Sequence, residues 1–332
     1  MQINETKKQS FGVMRRALLA GAVVGAVCAP AWAEAPYPNR PIKLVVAFAP
    51  GGGSDFIARL LSQKLGEKLG QPVIVENRPG AGGNLGASTA LKSPADGYTL
   101  LLAAASYTVN PALYKLTFDP IKDITPIAQL ARGPFLIAVS PDVPARNLME
   151  LVALARKEPN KLSYASAGTG SIVHIATEYF LDATGAQIMH VPYKGTAPAL
   201  TDTIAGQTQV VFGTVASTLP FAKADKLRVL AVTTPNRLAA LPDVPTTAEA
   251  GFPNYSVTNW HGIVGPKGIP SDIVAKLNKA INESLHAPEM ARGMSSDGLT
   301  PAGGTPAEFG KLLADEIARW QALVTKRNIK VD

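Results

Sequence analysis

Apolar and polar positions follow two rhythms along this chain. The apolar runs Ile42 to Phe48, Val73 to Glu76 and Tyr98 to Ala103 read as strands, while the stretches from about Ser54 to Leu69 and from near Gly83 onward carry a helical period. Strand and helix in alternation predict parallel α/β units. The third strand is rich in Leu and is closed by Ser106 to Pro111. Ile127 to Ala131 and Phe135 to Val139 read as two strands interrupted by Gly133 and Pro134, a break that offers a crossing between domains.

The second half repeats the theme. Helices are predicted over Leu148 to Lys157 and Ser171 to Thr184, with strands at Ser163 to Ala165, Ile188 to Val191, Gln209 to Phe212 and Leu227 to Thr233. A stretch with Pro235, Pro242, Pro245 and Pro253 resists regular structure and reads as a connector. Two helices close the chain, Ser271 to His286 and Pro306 to Arg327. No short repeat is present, which argues against a solenoid.

The first 33 residues stand apart from this pattern. Lys7, Lys8, Arg15 and Arg16 form a basic start, Ala17 to Ala29 is a small and apolar run, and Ala31, Trp32 and Ala33 form a small-x-small cleavage signal. This predicts a signal peptide over residues 1–33, cleaved near Ala33, and a periplasmic destination. Arg15 and Arg16 also fit a twin-arginine signal, but a Sec-type signal is favoured because paired basic residues are ordinary there. No later run approaches the roughly 20 apolar residues of a membrane span.

Removing that segment changes the chemistry on offer. Cys28 is the one cysteine and lies inside it, so the mature chain has no thiol for a disulfide, a zinc site or a nucleophile. Val27 does not suit a lipoprotein anchor at Cys28. The segment also holds four of the 32 basic and one of the 25 acidic residues, so the net charge drops from +7 to about +4. No basic run with interleaved aromatics exists, which argues against a nucleic-acid partner. The roughly 300 residues that remain exceed what one core usually serves, and two domains follow, with a binding cleft between them.

Two glycine-containing turns carry the candidate chemistry. Phe48, Ala49, Pro50, Gly51, Gly52, Gly53, Ser54 and Asp55 run from a strand directly into a helix. Glycines free the backbone amides, Ser54 can cap the helix, and the helix start adds partial positive charge, so the turn suits an anion. No Lys follows the glycines as in a phosphate-binding Walker loop, and the spacing is not that of a dinucleotide fingerprint. The alternative is a plain tight turn. Ser166, Ala167, Gly168, Thr169, Gly170 and Ser171 repeat the arrangement in the other half of the chain. Two such loops facing each other would grip one carboxylate from both sides, without a buried cation.

Other chemistries have weaker support. Ser171, His174 and Asp55 could be assembled into a hydrolase triad, but the glycine spacing around Ser171 does not match a nucleophile elbow, and His174 reads as a residue that packs its helix through hydrogen bonds. His190, His261 and His286 are scattered, and no acidic cluster resembles a calcium loop, so neither a metal nor a cofactor is expected. Tyr193, Lys194, Gly195 and Thr196 could close over a ligand or form a solvated turn. Trp260 reads as buried, at a domain joint or beside the cleft.

Taken in order, Phe48 to Asp55, the Glu-Asn-Arg-Pro-Gly-Ala-Gly-Gly-Asn run at Glu76 to Asn84, Asp96 with Gly97 and Tyr98, Ala167 to His174, and Val191 to Gly195 closely resemble the Bug family. These are extracytoplasmic solute receptors of tripartite tricarboxylate transporters, and the likeness covers essentially all of the mature chain. The resemblance implies an α/β, two-domain Venus flytrap of the periplasmic-binding type II class, here 34–135 with 250–332 as domain 1 and 136–249 as domain 2. It implies a non-enzymatic, monomeric binding protein that captures a small carboxylate, whether a di- or tricarboxylate, an aromatic acid or an amino acid. Its partners would be membrane transporter subunits or a sensor protein. Carried over by motif, the cleft residues are Phe48, Gly52, Gly53, Ser54 and Asp55 with Asn84 and Ser106 from domain 1, and Ala167, Gly168, Thr169, Ser171 and His174 with Tyr193 and Gly195 from domain 2. Many relatives carry an Asp after the strand that ends at Phe212, where this chain has Gly213 and Thr214, so Thr214 marks the far end of the pocket and a ligand amino group is less expected. The rival readings are a receptor that signals to a membrane sensor and a secreted hydrolase using Ser54 or Ser171.

Overall fold

The computed structural model describes residues 36–51 and 53–331; the expected signal peptide with Cys28, and Gly52 of the first glycine run, lie outside the described residues. β1 (Ile42–Val46), β2 (Val73–Asn77) and β3 (Thr99–Ala104) pair in parallel in the order β2-β1-β3, connected by α1 (Gly53–Leu69) and α2 (Asn84–Leu91). Ile57, Leu61 and Leu65 recur every four residues along α1 and are all buried, which is the helical period seen in the sequence. After β3 the expected closing turn is a helix, α3 (Ser106–Leu113).

The two strands expected around Gly133 and Pro134 are one. β4 (Ile124–Val139) runs unbroken for 16 residues and changes partners where the break was predicted. Up to Pro134 it pairs antiparallel with β9 (Thr258–Pro266) and, at residues 129–132, with β10 (Thr300–Gly303); from Phe135 it pairs antiparallel with β7 (Val210–Thr214) and β8 (Arg228–Val232). Pro134 has no N–H to contribute, so it suits the handover. Gly133 is needed there because a Cβ would fall 2.5 Å from the Gly298 carbonyl oxygen. Thr233 secures the same point: its hydroxyl accepts from Phe135 N–H and donates to the Val257 carbonyl, just before β9 begins.

Beyond the handover, β5 (Ser163–Ser166) and β6 (Met189–Pro192) extend the sheet in the order β4-β7-β5-β6. The helices here are α4 (Leu148–Lys157), α5 (Ile172–Thr184), α6 (Thr196–Ile204) and α7 (Val215–Lys223). The proline-rich stretch is irregular from residue 233 to 257, as its composition predicts. α8 (Ser271–Leu285), α9 (Pro288–Ser296) and α10 (Pro306–Arg327) close the chain. α10 starts on a capping box between Thr305 and Glu308, with Pro306 in the first turn, and ends at Asn328 in the left-handed conformation.

Two apolar cores flank the handover. One gathers Val45, Leu101, Trp260, Val264, Phe309 and Leu313; the other gathers Phe135, Ile137, Tyr164, Phe180, Phe212 and Tyr255. α10 serves both, because Trp320, Leu323 and Val324 from its later turns enter the second core. Between its two contributions Glu316 is buried and accepts from Trp260 Nε1 and from the Thr108 hydroxyl, each at 2.8 Å. Burial raises this carboxyl, and the two donors oppose the rise. Trp260 is therefore fully buried, in keeping with the burial expected of it.

Candidate functional site

The first glycine turn is held from inside by Asp55. Gly51 takes a left-handed φ of 84° and donates its N–H to Asp55 Oδ2 at 2.9 Å, four residues ahead in the first turn of α1. Arg59 Nε donates to the same oxygen at 2.9 Å, and Asn77 Nδ2 donates to Oδ1 at 3.0 Å and to the Phe48 carbonyl. Hydrogen bonding from Arg59 first, then from Gly51, holds this carboxyl near 2. Asp55 is thus a fastener of the turn. Ser54 faces the other way, and its Oγ lies 3.1 Å from Nε2 of buried His261 on β9.

The second turn has the same geometry with different chemistry. Gly170, at φ 78°, donates its N–H to Nδ1 of His174 at 3.0 Å, again four residues ahead. His174 is buried, and its ring stacks on His190 with centroids 4.0 Å apart; Tyr164 also stacks on His190 at 4.8 Å. Burial, with a smaller contribution from His190, pushes His174 down to about 3, so its ring is neutral and Nδ1 is free to accept. Ser171 caps α5 by accepting from His174 N–H at 3.3 Å. Ser166 Oγ receives the Gly168 N–H and lies 2.7 Å from His190 Nε2.

These turns open on a common cavity of about 370 Å³. Phe48, Ser54, Ser106, Asn110 and Tyr114 line it from one side and Thr169 to Ile172 from the other, with Asn259 of β9 between them. No lining residue is Lys or Arg. Ser54 lies in the first turn of α1 and Ser171 caps α5, so two helix starts, each with partial positive charge, meet here. Among the described residues the hydroxyls of Ser106 and Thr169 take no intramolecular partner, and both can donate to a ligand.

The remaining predicted residues take other positions. Gly53 begins α1, and Asn84 begins α2, where its Oδ1 accepts from Asn110 Nδ2 at 2.8 Å. Ala167 packs on the second core, and Gly168 has a φ of 122°. Tyr193 donates its hydroxyl to Asp202 at 2.7 Å, and burial followed by that carboxylate pushes the phenol up to about 12. Gly195 precedes α6, and Thr214 caps α7 beside Ser217. Neither Tyr193, Gly195 nor Thr214 is among the cavity's lining residues. Asn110, Tyr114 and Asn259 were not anticipated. The first two follow Ser106 at four-residue spacing, Asn110 on α3 and Tyr114 just past its end, which was the available signal; Asn259 is masked in the sequence by its neighbour Trp260.

A second cavity, also about 370 Å³, lies by Arg132, Val215, Thr234 to Ala240 and Gly298 to Thr300. Neither glycine turn reaches it. Among the described residues no group of three His, Cys, Asp or Glu side chains could hold a metal ion, and no helix is long and apolar enough to cross a membrane.

The model of the tripartite tricarboxylate transporter family receptor matches residues 57–329. The chain is similar to Rpa4515 of R. palustris, solved with adipate, at 35% identity and a TM-score of 0.76, covering 89% of this chain and 99% of that one. It is similar to the periplasmic binding protein BugD at 33% identity and a TM-score of 0.74, covering 89% and 99%. MatC of Rhodopseudomonas palustris, solved with bound malate, is 31% identical with a TM-score of 0.73 over 87% of this chain and all of that one.

Proposed function

The chain belongs to the receptors of the tripartite tricarboxylate transporter family, and on that premise we propose that it captures a small dicarboxylate, of the size of malate or adipate, between the two glycine turns. It has the two-domain α/β fold of periplasmic solute-binding proteins and is a receptor rather than an enzyme. One observation carries the ligand class: a cavity reached by two helix starts, with hydroxyl and amide donors and no cation in its lining. A carboxylate accepts hydrogen bonds only, and such donors can satisfy it without an ion pair.

In this reading residues 34–135 with 250–332 and residues 136–249 are the closing domains. The change of β4 partners at Pro134 and Phe135 supports that division, as does the return of the chain from Thr233 to β9. Ligand contacts that favour the closed form by a few kcal/mol are enough to drive closure. The exported chain works in the periplasm as a monomer once residues 1–33 are removed, and the closed form is what a membrane transporter subunit recognises. A secreted hydrolase is disfavoured by the base it would need. His261 approaches Ser54, but burial holds its ring near 4, and among the described residues no carboxylate bonds its Nδ1.

A thermal-shift panel of malate, adipate, an aromatic acid and an uncharged sugar tests the ligand class. An acid at about 100 times its dissociation constant adds about 2.7 kcal/mol to stability. If the sugar raises the melting temperature and none of the acids does, the carboxylate reading is wrong.

A further inference from the structure

We propose that His261 is a positioning residue that sets the polarity of the Ser54 hydroxyl: its Nε2–H donates to Ser54 Oγ, leaving the Ser54 O–H to donate into the cleft. His261 lies on β9, is buried, and is absent from the cavity lining, so it acts only through Ser54. The two atoms are 3.1 Å apart. Nδ1 of the same ring is buried and has no hydrogen-bonding partner among the described residues.

A neutral imidazole carries one proton, and the surroundings choose its place. With the proton on Nδ1, a buried N–H would go unpaired, and Nε2 would consume the single proton of Ser54. The hydroxyl would then show only lone pairs to an approaching anion. With the proton on Nε2, the ring donates inward, the bare Nδ1 is the lesser loss, and Ser54 becomes a donor. Burial supports the neutral ring, holding His261 near 4. Ser171 follows the same logic on the opposite wall, where its Oγ accepts from His174 N–H and its own proton is left over. Both serines are therefore backed by a donor. The consequence for binding rests on the carboxylate reading above; the tautomer does not.

The first test uses the ligand-free chain. A long-range 1H–15N spectrum of the imidazoles, with His261 assigned by its loss in His261→Gln, is expected to show Nε2 protonated and Nδ1 bare. A proton on Nδ1 overturns the proposal whatever the ligand is. The second test uses adipate as probe. His261→Phe keeps the ring shape without the donor and is expected to weaken binding about tenfold to a hundredfold. His261→Gln, whose amide can donate from a similar place, recovers most of that loss. In the double variant with Ser54→Ala the losses do not add, because both changes remove one donor. Full adipate affinity in a folded His261→Phe chain, or additive losses, overturns the proposal.

Discussion

Gly51 and Gly170 both donate their N–H to a side chain four residues ahead, yet one acceptor is an ionised carboxylate and the other a neutral imidazole. The surroundings explain the difference. Asp55 has Arg59 one helical turn on and Asn77 across from β2, so its charge is fully bonded. Gly170 lies against Leu113 and Val331, and His174 stacks on His190 over an apolar core, where a charge would have no partner. The two solutions share one result. Each turn is fastened by a hydrogen bond to a side chain four residues ahead, and neither leaves an uncompensated charge behind it. A bare carboxylate behind the first turn would repel an approaching anion.

The comparison is broken most directly at Asp55. Asp55→Ala removes the acceptor of Gly51, Arg59 and Asn77 together, and is expected to cost about 2–4 kcal/mol, read as a lower urea midpoint at unchanged slope. Asp55→Asn should recover part of it through the amide oxygen. His174→Phe keeps a ring for stacking but leaves the Gly170 N–H unpaired, with an expected loss of about 1–3 kcal/mol. On the binding side, Ser54→Ala and Thr169→Ala should each weaken carboxylate binding by about 1–3 kcal/mol in calorimetry, one from each turn. Unchanged affinity in both would remove these serine and threonine hydroxyls from the site.

Acid separates the two fasteners. His174 is lowered in the folded chain, so the unfolded chain takes up a proton first; the stability it contributes is complete above pH 6.5 and declines as pH falls toward about 3. Asp55 is also lowered, from 3.8 to about 2, so its contribution is complete above pH 3.8 and is lost only below that. Each group tilts stability by at most about 1.4 kcal/mol per pH unit within its window. Hydrogen exchange should therefore show the Gly170 amide losing protection at higher pH than the Gly51 amide, and His174→Phe should flatten stability between pH 6 and 4 relative to the unaltered chain. Simultaneous loss of both amides would mean the turns are not independent. The smallest effect belongs to Arg59→Ala. Its side chain is exposed, and Gly51 and Asn77 still bond Asp55, so the urea midpoint should barely move.

Much of the fold is written in local signals. The α10 boundaries follow from Thr305, Glu308 and Pro306 at one end and Asn328 at the other, and α4 starts on an Asn147 cap. Strands with alternating or continuous apolar runs were equally legible. β9 was missed because Gly262 and Gly265 weaken its strand pattern, and the reason for them is remote: a Cβ at Gly262 would fall 2.2 Å from the Phe309 ring, and one at Gly265 would fall 2.4 Å from Ile269. β4 was read as two strands because Gly133 and Pro134 do mark a local break. The ladder continues because each half has a different set of neighbours.

In the site the division is sharper. The sequence alone determined where the two anion-suited turns lie, because glycine freedom, a hydroxyl and a helix start all act within a few residues. Only the tertiary structure decided what stands behind each turn. Ser54 and His261 are 207 positions apart, and no local rule couples them. Backbone turns are settled by the torsions of a few residues, but the direction of a hydroxyl's proton is settled by whatever the fold packs against it.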